Sequence, residues 1–398
     1  MVGAGPLGFS FRLGFDSFTS LREIVEVVDL LNNDLGMKRP PIRVLDVSGS
    51  PEERGHTHGA AFADEIRSYT EERIALVMSG QWSGGPMPRA DVLDLAESMI
   101  VPHEKHSAAL AAEMHAMAAA AGITSAEAII VGGFTDFVDA VRAELGGAHP
   151  TAVIEDDCTA FVVPGSRTAD SRGLYGQTWD MHDTATEHVI LLRVQPDDGP
   201  SALVFTTCGA LGQIGMSETG VCVGINNLTA TDGVPGVTWP QVVREALNQQ
   251  TAQQAKDVVL GANLAGGHNF LMLDAEGFGY SIEAMPSARP FDRLAGDALV
   301  HTNHTLFESS SAVQGERVGA LQASSLKRLE VARELLDAEG LGVDDLIAVT
   351  REPSAVCQVA VDPYRVESSG AVIMKPATRE FWACWGVPSQ NEFQKIEF

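Results

Sequence analysis

The spacing of apolar residues changes near the middle of the chain, at the stretch EDDCTAF (residues 155–161). Before it, long Ala-rich segments place apolar residues three or four positions apart, a spacing typical of amphipathic helices. After Cys158 the period becomes two, and short apolar runs such as HVILLRV and ALVFTT are separated by Gly, Pro, Asp and Ser clusters, as in β-strands. Helices in one block and strands in another favour packed antiparallel sheets covered by helices over repeated βαβ units.

The same patterns predict individual elements. In the first half we expect helices over 16–37, 50–80, 89–122 and 124–145, one short strand over 40–49, and a Gly- and Pro-containing linker over 146–153. The helix at 124–145 opens with TSAE, a capping sequence with Glu at the required offset. In the second half, beyond the first five strands, we expect a helix pair over 239–262, hairpins over 268–284 and 370–386, a strand over 298–304 and a helix over 324–338.

Composition excludes some partners. The 398 residues carry a net charge of −26, which argues against nucleic acid and against an anionic membrane, because both require a cationic face. No run of 18 apolar residues is present, and the first residues lack the pattern of a signal peptide, so we expect neither a membrane span nor secretion.

The five cysteines are dispersed, odd in number and without a CxxC pair. This favours a reducing compartment, and we expect a cytoplasmic protein.

Cys158 has two interpretations. A buried cysteine at the start of a strand is most often a small apolar residue. The preceding Asp156 and Asp157, however, favour an exposed turn, and a cut before Cys158 would place a thiol and a free α-amine on one residue. An α-amine has a pKa of about 7.7, which suits a general base at neutral pH. Such an amine could activate the thiol without a histidine.

Several motifs in order point to a family. They are GSPEERGHTHG (49–59), DCTAF (157–161), GQTWDMH (176–182), GVCVGINNL (220–228), GVPGVTWPQVVREAL (233–247) and VHTNH (300–304). With these motifs, spread over roughly residues 42–386, the chain resembles the acyl-coenzyme A:6-aminopenicillanic acid acyltransferase family of N-terminal nucleophile (Ntn) hydrolases. The resemblance implies an α+β fold, a four-layer αββα sandwich of two antiparallel sheets covered by helices.

The resemblance also implies roles for site residues. Cys158 would be the nucleophile both for self-cleavage between Asp157 and Cys158 and for turnover. Asp180 would position and tune the new amine, although an aspartate before MHDT is also typical of a turn cap. Asn303 would donate its side-chain amide to the oxyanion of the tetrahedral intermediate. Asn226 is a second oxyanion candidate, which the sequence does not separate from its neighbour Asn227.

Self-cleavage would divide the chain into a mainly helical small chain, residues 1–157, and a catalytic large chain, residues 158–398. The implied reaction is cleavage or transfer of an acyl group at an amide bond through a thioester on Cys158. The substrate would be a small-molecule amide or an acyl-coenzyme A, and no metal or organic cofactor is required. The small chain would remain as the partner of the large chain in a heterodimer, and further oligomerisation stays open.

Two other classes of function stay open. His56 and His58 form an HxH pair, as in metal-dependent amidohydrolases, but the βα alternation of their barrel is absent and the pair opens a predicted helix. A member that folds uncut and serves as a non-catalytic binding protein is the second alternative. The joint presence of Cys158, Asp180 and Asn303 argues against it.

The sequence departs from the family's penicillin-acting members at three places. Asp157 precedes the nucleophile where those members have glycine, and Ser369 stands where they have an arginine thought to serve the active site. Arg365 is the nearest basic residue that would substitute for it. The segment IIVGGFTDF (129–137) also differs from its Asn-Arg-bearing equivalent. We therefore expect carboxylate-bearing β-lactams to be poor substrates, because a Ser hydroxyl cannot replace a bidentate guanidinium.

Overall fold

The computed structural model of the protein describes residues 39–147 and 157–398. The predicted helix over 16–37 and most of the predicted linker lie outside these residues. The first described segment contains one strand and seven helices, β1 (Val44–Gly49), α1 (Pro51–Ala61), α2 (Ala63–Ser79), α3 (Arg89–Ser98), α4 (Ile100–His106), α5 (Ala108–Ala121), α6 (Ser125–Gly132) and α7 (Phe134–Glu144).

The helices begin where the sequence predicts but are shorter. Ser50 and Thr124 both form capping boxes, with Glu53 and Glu127 respectively. The single helix predicted over 89–122 is wrong, because the chain forms α3, α4 and α5 instead. Pro102 lies in the first turn of α4, and a proline cannot donate the backbone hydrogen bond that would continue α3 through this point. The helices predicted over 50–80 and 124–145 are likewise divided, at Phe62 and at Gly133.

The second described segment holds the remaining strands. They are β2 (Asp157–Val163), β3 (Leu174–His182), β4 (Val189–Pro196), β5 (Ala202–Thr207), β6 (Ile214–Ser217), β7 (Cys222–Asn227), β8 (His268–Leu273), β9 (Gly279–Ala284), β10 (Phe291–Arg293), β11 (Leu299–His301), β12 (Val366–Lys375), β13 (Glu380–Trp385) and β14 (Gln394–Ile396). Its helices are α8 (Trp239–Leu247), α9 (Ala252–Gly261), α10 (Glu308–Ser311), α11 (Gly319–Leu336) and α12 (Val343–Thr350). The predicted helix pair and both predicted hairpins are confirmed.

The strands form two sheets. One has eight strands in the order β1-β4-β5-β6-β7-β8-β9-β10, and the other has six in the order β11-β2-β3-β12-β13-β14. The sheets pack on each other through β2, β3, β7 and β8. Helices α8 and α9 cover the outer face of the eight-stranded sheet, and α11 and α12 cover the outer face of the six-stranded sheet. The predicted α+β sandwich of two sheets between helices is therefore confirmed.

One strand pair departs from the antiparallel prediction. β1 runs parallel to β4 at the edge of the eight-stranded sheet, while the other strand pairs in the described sheets are antiparallel. A parallel neighbour requires a long crossover, and here helices α1–α7 and strands β2 and β3 lie between the two strands in the chain. The edge strand thereby ties the helical first segment into the sheet.

Alternation along β2 divides its side chains between two layers. Cys158, Ala160 and Val162 belong to the apolar core that includes the space between the sheets. Phe161 and Val163 belong to a second core under α11 and α12.

Among the described residues no single helix is long and apolar enough to cross a membrane. Helices α5 and α6 together have the length and apolar composition of a span, but they are bent by 104° relative to each other.

Candidate active site

Cys158 is the second residue of β2 and lies in the interior of the six-stranded sheet, directly opposite Trp179 on β3. The residue is fully buried. Its side chain lies on the face of β2 that packs against the eight-stranded sheet. All five cysteines lie in the described part of the chain, and none of them forms a disulfide.

Asp157 is not in an exposed turn, as the run of acids in the sequence suggested. It starts β2 and is only 2% exposed. Its Oδ1 accepts a hydrogen bond from Nη2 of Arg317 at 2.8 Å and lies 2.9 Å from Nη2 of Arg328. Two guanidinium groups thus compensate the cost of burying this carboxylate.

Arg328, on α11, contacts the residues on both sides of the candidate cleavage point, the side chain of Asp157 and the backbone of Cys158. Its Nη1 donates to the carbonyl oxygen of Cys158 and, at 3.2 Å, to the hydroxyl of Thr159. Its Nη2 also donates to Oδ1 of Asn303 at 3.0 Å. Neither Arg317 nor Arg328 belongs to a motif that marks it in the sequence. A helical pattern does not reveal which of its basic residues is buried, and SSLKRLE contains a lysine and an arginine side by side.

Asn303 follows β11 and contacts Cys158 directly. Its Oδ1 accepts the backbone N–H of Cys158 at 2.8 Å. Because Cys158 N and Arg328 Nη2 are both donors, the oxygen of the amide must face them. The Nδ2 group therefore faces the backbone oxygen of Asn227, to which it donates at 3.2 Å. The side chain fixes the nitrogen that self-cleavage would turn into the α-amine.

Asp180 lies opposite Asp157 in the β2–β3 register. Its Oδ1 accepts a hydrogen bond from the hydroxyl of Ser368 on β12 at 2.6 Å, while its Oδ2 is buried and has no hydrogen-bond partner. Burial raises the pKa of Asp180 from 3.8 to about 7, against the opposing effect of Arg328. The group is therefore poised to gain or lose a proton near neutral pH, as a tuning group for an amine would be.

Asp180→Asn should change how stability depends on pH. In the wild type, Asp180 binds a proton more tightly in the folded protein than in the unfolded chain, and this stabilises the fold. The stabilisation is complete below pH 3.8 and is lost as the pH rises through the folded-state pKa of about 7. This difference corresponds to about 4 kcal/mol of unfolding free energy at most. Denaturant unfolding of both proteins between pH 4 and 8 should show the variant gaining stability relative to the wild type as pH rises. A difference that is constant across this range would contradict the raised pKa.

The two asparagines that the sequence did not separate have different surroundings. Nδ2 of Asn226 donates to the backbone oxygen of His301 at 3.3 Å, so its side chain reaches from the eight-stranded sheet to the six-stranded sheet. Its Oδ1 accepts from Asn269 at 3.1 Å. Strand alternation places the side chain of Asn227 on the other face of β7. Asn226 therefore remains the second oxyanion candidate of the pair.

The HxH histidines do not share one environment. His56 is exposed on α1, whereas His58 is buried and its Nε2 accepts the backbone N–H of Gly209 at 3.1 Å. Among residues 39–147 and 157–398, one group of three His, Cys, Asp or Glu side chains brings its ligand atoms within 4.8 Å of one another. That group is Glu65, His188 and Cys208, and it contains neither histidine of the motif.

Ser369, which stands where the penicillin-acting members have an arginine, has no cation in its place among its described hydrogen-bond partners. Ser369 is buried and accepts a hydrogen bond from the hydroxyl of Thr186 at 3.0 Å. Arg365 is 53% exposed and forms ion pairs with Asp183 and Asp362. Arg317 and Arg328, which contact Asp157 and Asn303, come from a different part of the chain.

Comparisons with known proteins agree with these motifs. The sequence profile of the family described as acyl-coenzyme A:6-aminopenicillanic acid acyl-transferase matches residues 166–390, more than half of the chain. A relative from Emericella nidulans, the acyl-coenzyme A:6-aminopenicillanic-acid-acyltransferase 40 kDa form, is 22% identical over 270 residues, which cover 67% of this chain and 70% of the relative. An uncharacterized protein from Archaeoglobus fulgidus is 24% identical over 56% of this chain and 39% of its own length.

Two solved structures are similar at a lower level. A conjugated bile acid hydrolase from Clostridium perfringens has a TM-score of 0.43 and 11% identity, covering 61% of this chain and 97% of its own. A penicillin V acylase from Agrobacterium tumefaciens has a TM-score of 0.35 and 10% identity, covering 57% of this chain and 83% of its own. On the sequence match over residues 166–390, the chain belongs to the acyl-coenzyme A:6-aminopenicillanic acid acyl-transferase family.

Proposed function

We propose that this protein is a self-processing amide hydrolase or acyltransferase that uses Cys158 as its nucleophile. The observation that carries the proposal is the hydrogen bond from the Cys158 backbone nitrogen to Asn303, within a buried cluster that also holds Asp157, Asp180 and Arg328. Family membership supports chemistry on an acyl group.

Self-cleavage begins with attack of the Cys158 thiol on the carbonyl carbon of Asp157. The bond between that carbon and the Cys158 nitrogen breaks, the nitrogen takes up a proton, and a thioester remains. Water then hydrolyses the thioester to give residues 1–157 and 158–398. Asn303 Oδ1 already holds the nitrogen that leaves in this step, which supports its role in positioning the new amine.

In turnover the α-amine of Cys158 removes the thiol proton, and the sulfur attacks the substrate carbonyl. Oxyanion donors stabilise the tetrahedral intermediate, and Asn303 Nδ2 and Asn226 Nδ2 are the candidates. Collapse releases the amine product and leaves an acyl thioester on Cys158. Water or a second amine then takes the acyl group. Asp180 accepts a hydrogen bond from Ser368 and keeps Oδ2 available for the new amine.

The two fragments would stay together as a heterodimer. On α7, Asp136 accepts the backbone N–H of Trp239 at 2.7 Å, and Asp139 accepts those of Ala230 and Gly267 at 2.9 and 3.0 Å. β1 adds a strand to the eight-stranded sheet. These contacts cross from the small chain to the large chain and do not depend on the peptide bond before Cys158.

Iodoacetamide should abolish hydrolysis of simple N-acyl arylamides by the purified protein, while a metal chelator should leave the rate unchanged. The reason is that the proposed reaction passes through a thiolate and needs no metal. Release of the arylamine, followed by absorbance, measures both effects. The substrates compared with the arylamides should include 6-aminopenicillanic acid together with an acyl-coenzyme A, a pair that we expect to react poorly. Loss of activity with the chelator alone would favour the metal amidohydrolase instead.

A further inference from the structure

We propose that the pocket around the Asp157 side chain selects the acyl group of the substrate. The acyl group that fits is short and carries a carboxylate separated from the reacting carbonyl by two carbons, as in a succinyl group. This inference rests on the proposed function, since it uses Cys158 as the nucleophile in both self-cleavage and turnover.

The pocket is built to bind a carboxylate. Oδ1 of Asp157 contacts Nη2 of Arg317 at 2.8 Å and Nη2 of Arg328 at 2.9 Å. The hydroxyl of Ser324 donates to Oδ2 at 3.4 Å. Both arginine side chains are buried, with 2% and 0% exposure. Charge-assisted hydrogen bonds of this kind, which arginine forms with carboxylates, are stronger than those between neutral groups.

The chemistry connects this pocket to the substrate. In self-cleavage the sulfur of Cys158 becomes bonded to the carbonyl carbon of Asp157, so the first thioester is an aspartyl thioester. In turnover the same sulfur carries the acyl group of the substrate. Both acyl groups therefore extend from one sulfur atom, and a succinyl chain has the same carbon spacing between carbonyl and carboxylate as aspartate.

Charge favours an anion at this position after cleavage. Arg317 and Arg328 share the single carboxylate of Asp157. If Asp157 leaves the pocket, both buried guanidinium groups lose their direct ion pair, and breaking a buried pair in this way is strongly unfavourable. A carboxylate-bearing acyl group restores the pairing, whereas a neutral acyl group does not.

The fixed position of Arg328 adds geometric selectivity. It also binds the backbone oxygen of Cys158 and Oδ1 of Asn303, so it cannot follow a carboxylate held at a different distance from the sulfur. Arg317 is similarly anchored, with Nη1 donating to the backbone oxygen of Asn303 at 2.7 Å. A shorter or longer diacid chain would therefore lose at least one of the two contacts.

Three p-nitroanilides test the inference on the cleaved wild-type protein, with N-succinyl, N-succinamoyl and N-butyryl groups. Succinamoyl keeps the size and removes the charge, and butyryl keeps the carbon chain and removes the polar end. We expect kcat/KM for the succinyl compound to exceed that of either neutral compound by about 10- to 100-fold, the usual effect of one or two charge-assisted contacts.

Arg317→Gln should reduce this preference to within a few-fold of unity, because the amide cannot neutralise the carboxylate. The matched control is Arg365→Gln, which removes an exposed arginine paired with Asp183 and should keep the preference. If Arg317→Gln stays uncut or unfolded, inhibition of the wild type decides the matter. Succinamate, which keeps one carboxylate, should then compete at least 10-fold more strongly than succinamide, the neutral diamide of the same size.

The outcomes separate the two proposals. Equal or faster cleavage of the neutral compounds, with activity that still depends on Cys158, would overturn the acyl preference and leave the proposed function intact. Equal inhibition by succinamate and succinamide would overturn it in the same way. Failure of the protein to cleave any of the three compounds would contradict the proposed function, and the acyl preference with it.

Discussion

Cys158→Ala should leave the chain in one piece and abolish amide cleavage. The alanine side chain offers no nucleophile, so neither the aspartyl thioester nor the substrate thioester can form. We expect the wild type to separate into residues 1–157 and 158–398, and the variant to lose at least about 10⁴-fold in kcat/KM, as when other covalent nucleophiles are removed. A denaturing gel with intact masses measures the cut, and arylamine release measures turnover.

Cys222→Ala is the matched control for this experiment. Cys222 is also buried and lies on β7 of the facing sheet, so its loss has a comparable packing cost without removing the proposed nucleophile. This variant should still be cut and active. A wild-type protein that remains one chain and is nevertheless active would exclude the α-amine as the base. A Cys158→Ala protein that is cut or active would exclude the nucleophile itself.

The fold was predictable where local pattern decides it. The change of period at Cys158 coincides with the start of β2, and the capping sequence at Thr124 marks a true helix start. The parallel pairing of β1 with β4 was not predictable in this way. β1 pairs with a strand more than a hundred residues away, and nothing in its six residues specifies the direction of that partner.

In the candidate site, too, the residues that lie in motifs were predictable and the others were not. Cys158, Asp180 and Asn303 were proposed from motifs, and the structure places Asn303 on the Cys158 nitrogen and Asp180 opposite Asp157. Arg317 and Arg328 belong to no motif, and their importance comes from burial beside Asp157. The prediction of an exposed turn at Asp157 was wrong because these two arginines pair with the buried carboxylate. Sequence shows that a residue is charged but not that its counter-ions lie 160 and more positions further along the chain.

Asn303→Ala should lower kcat of the cleaved protein by about 10²- to 10³-fold, the usual cost of removing one oxyanion donor. The alanine removes Nδ2, the proposed donor, and also Oδ1, which accepts from Cys158 N and Arg328 Nη2. Self-cleavage should slow as well, because the scissile nitrogen is no longer held. Rates of cutting and of arylamide turnover, measured beside the thermal unfolding temperature, separate a catalytic loss from a loss of folding.

Asn303→Asp distinguishes the two halves of this amide. It keeps an acceptor for the Cys158 nitrogen and Arg328 but has no N–H to give an oxyanion. We therefore expect it to be cut faster than Asn303→Ala while its turnover stays as low. Asn391→Ala is the control for loss of a buried asparagine, since Asn391 contacts Arg39 and Val387 instead of the cluster around Cys158. If Asn303→Ala turns over substrate at the wild-type rate, Nδ2 of Asn303 is not the oxyanion donor, and Asn226 or backbone N–H groups must stabilise the intermediate.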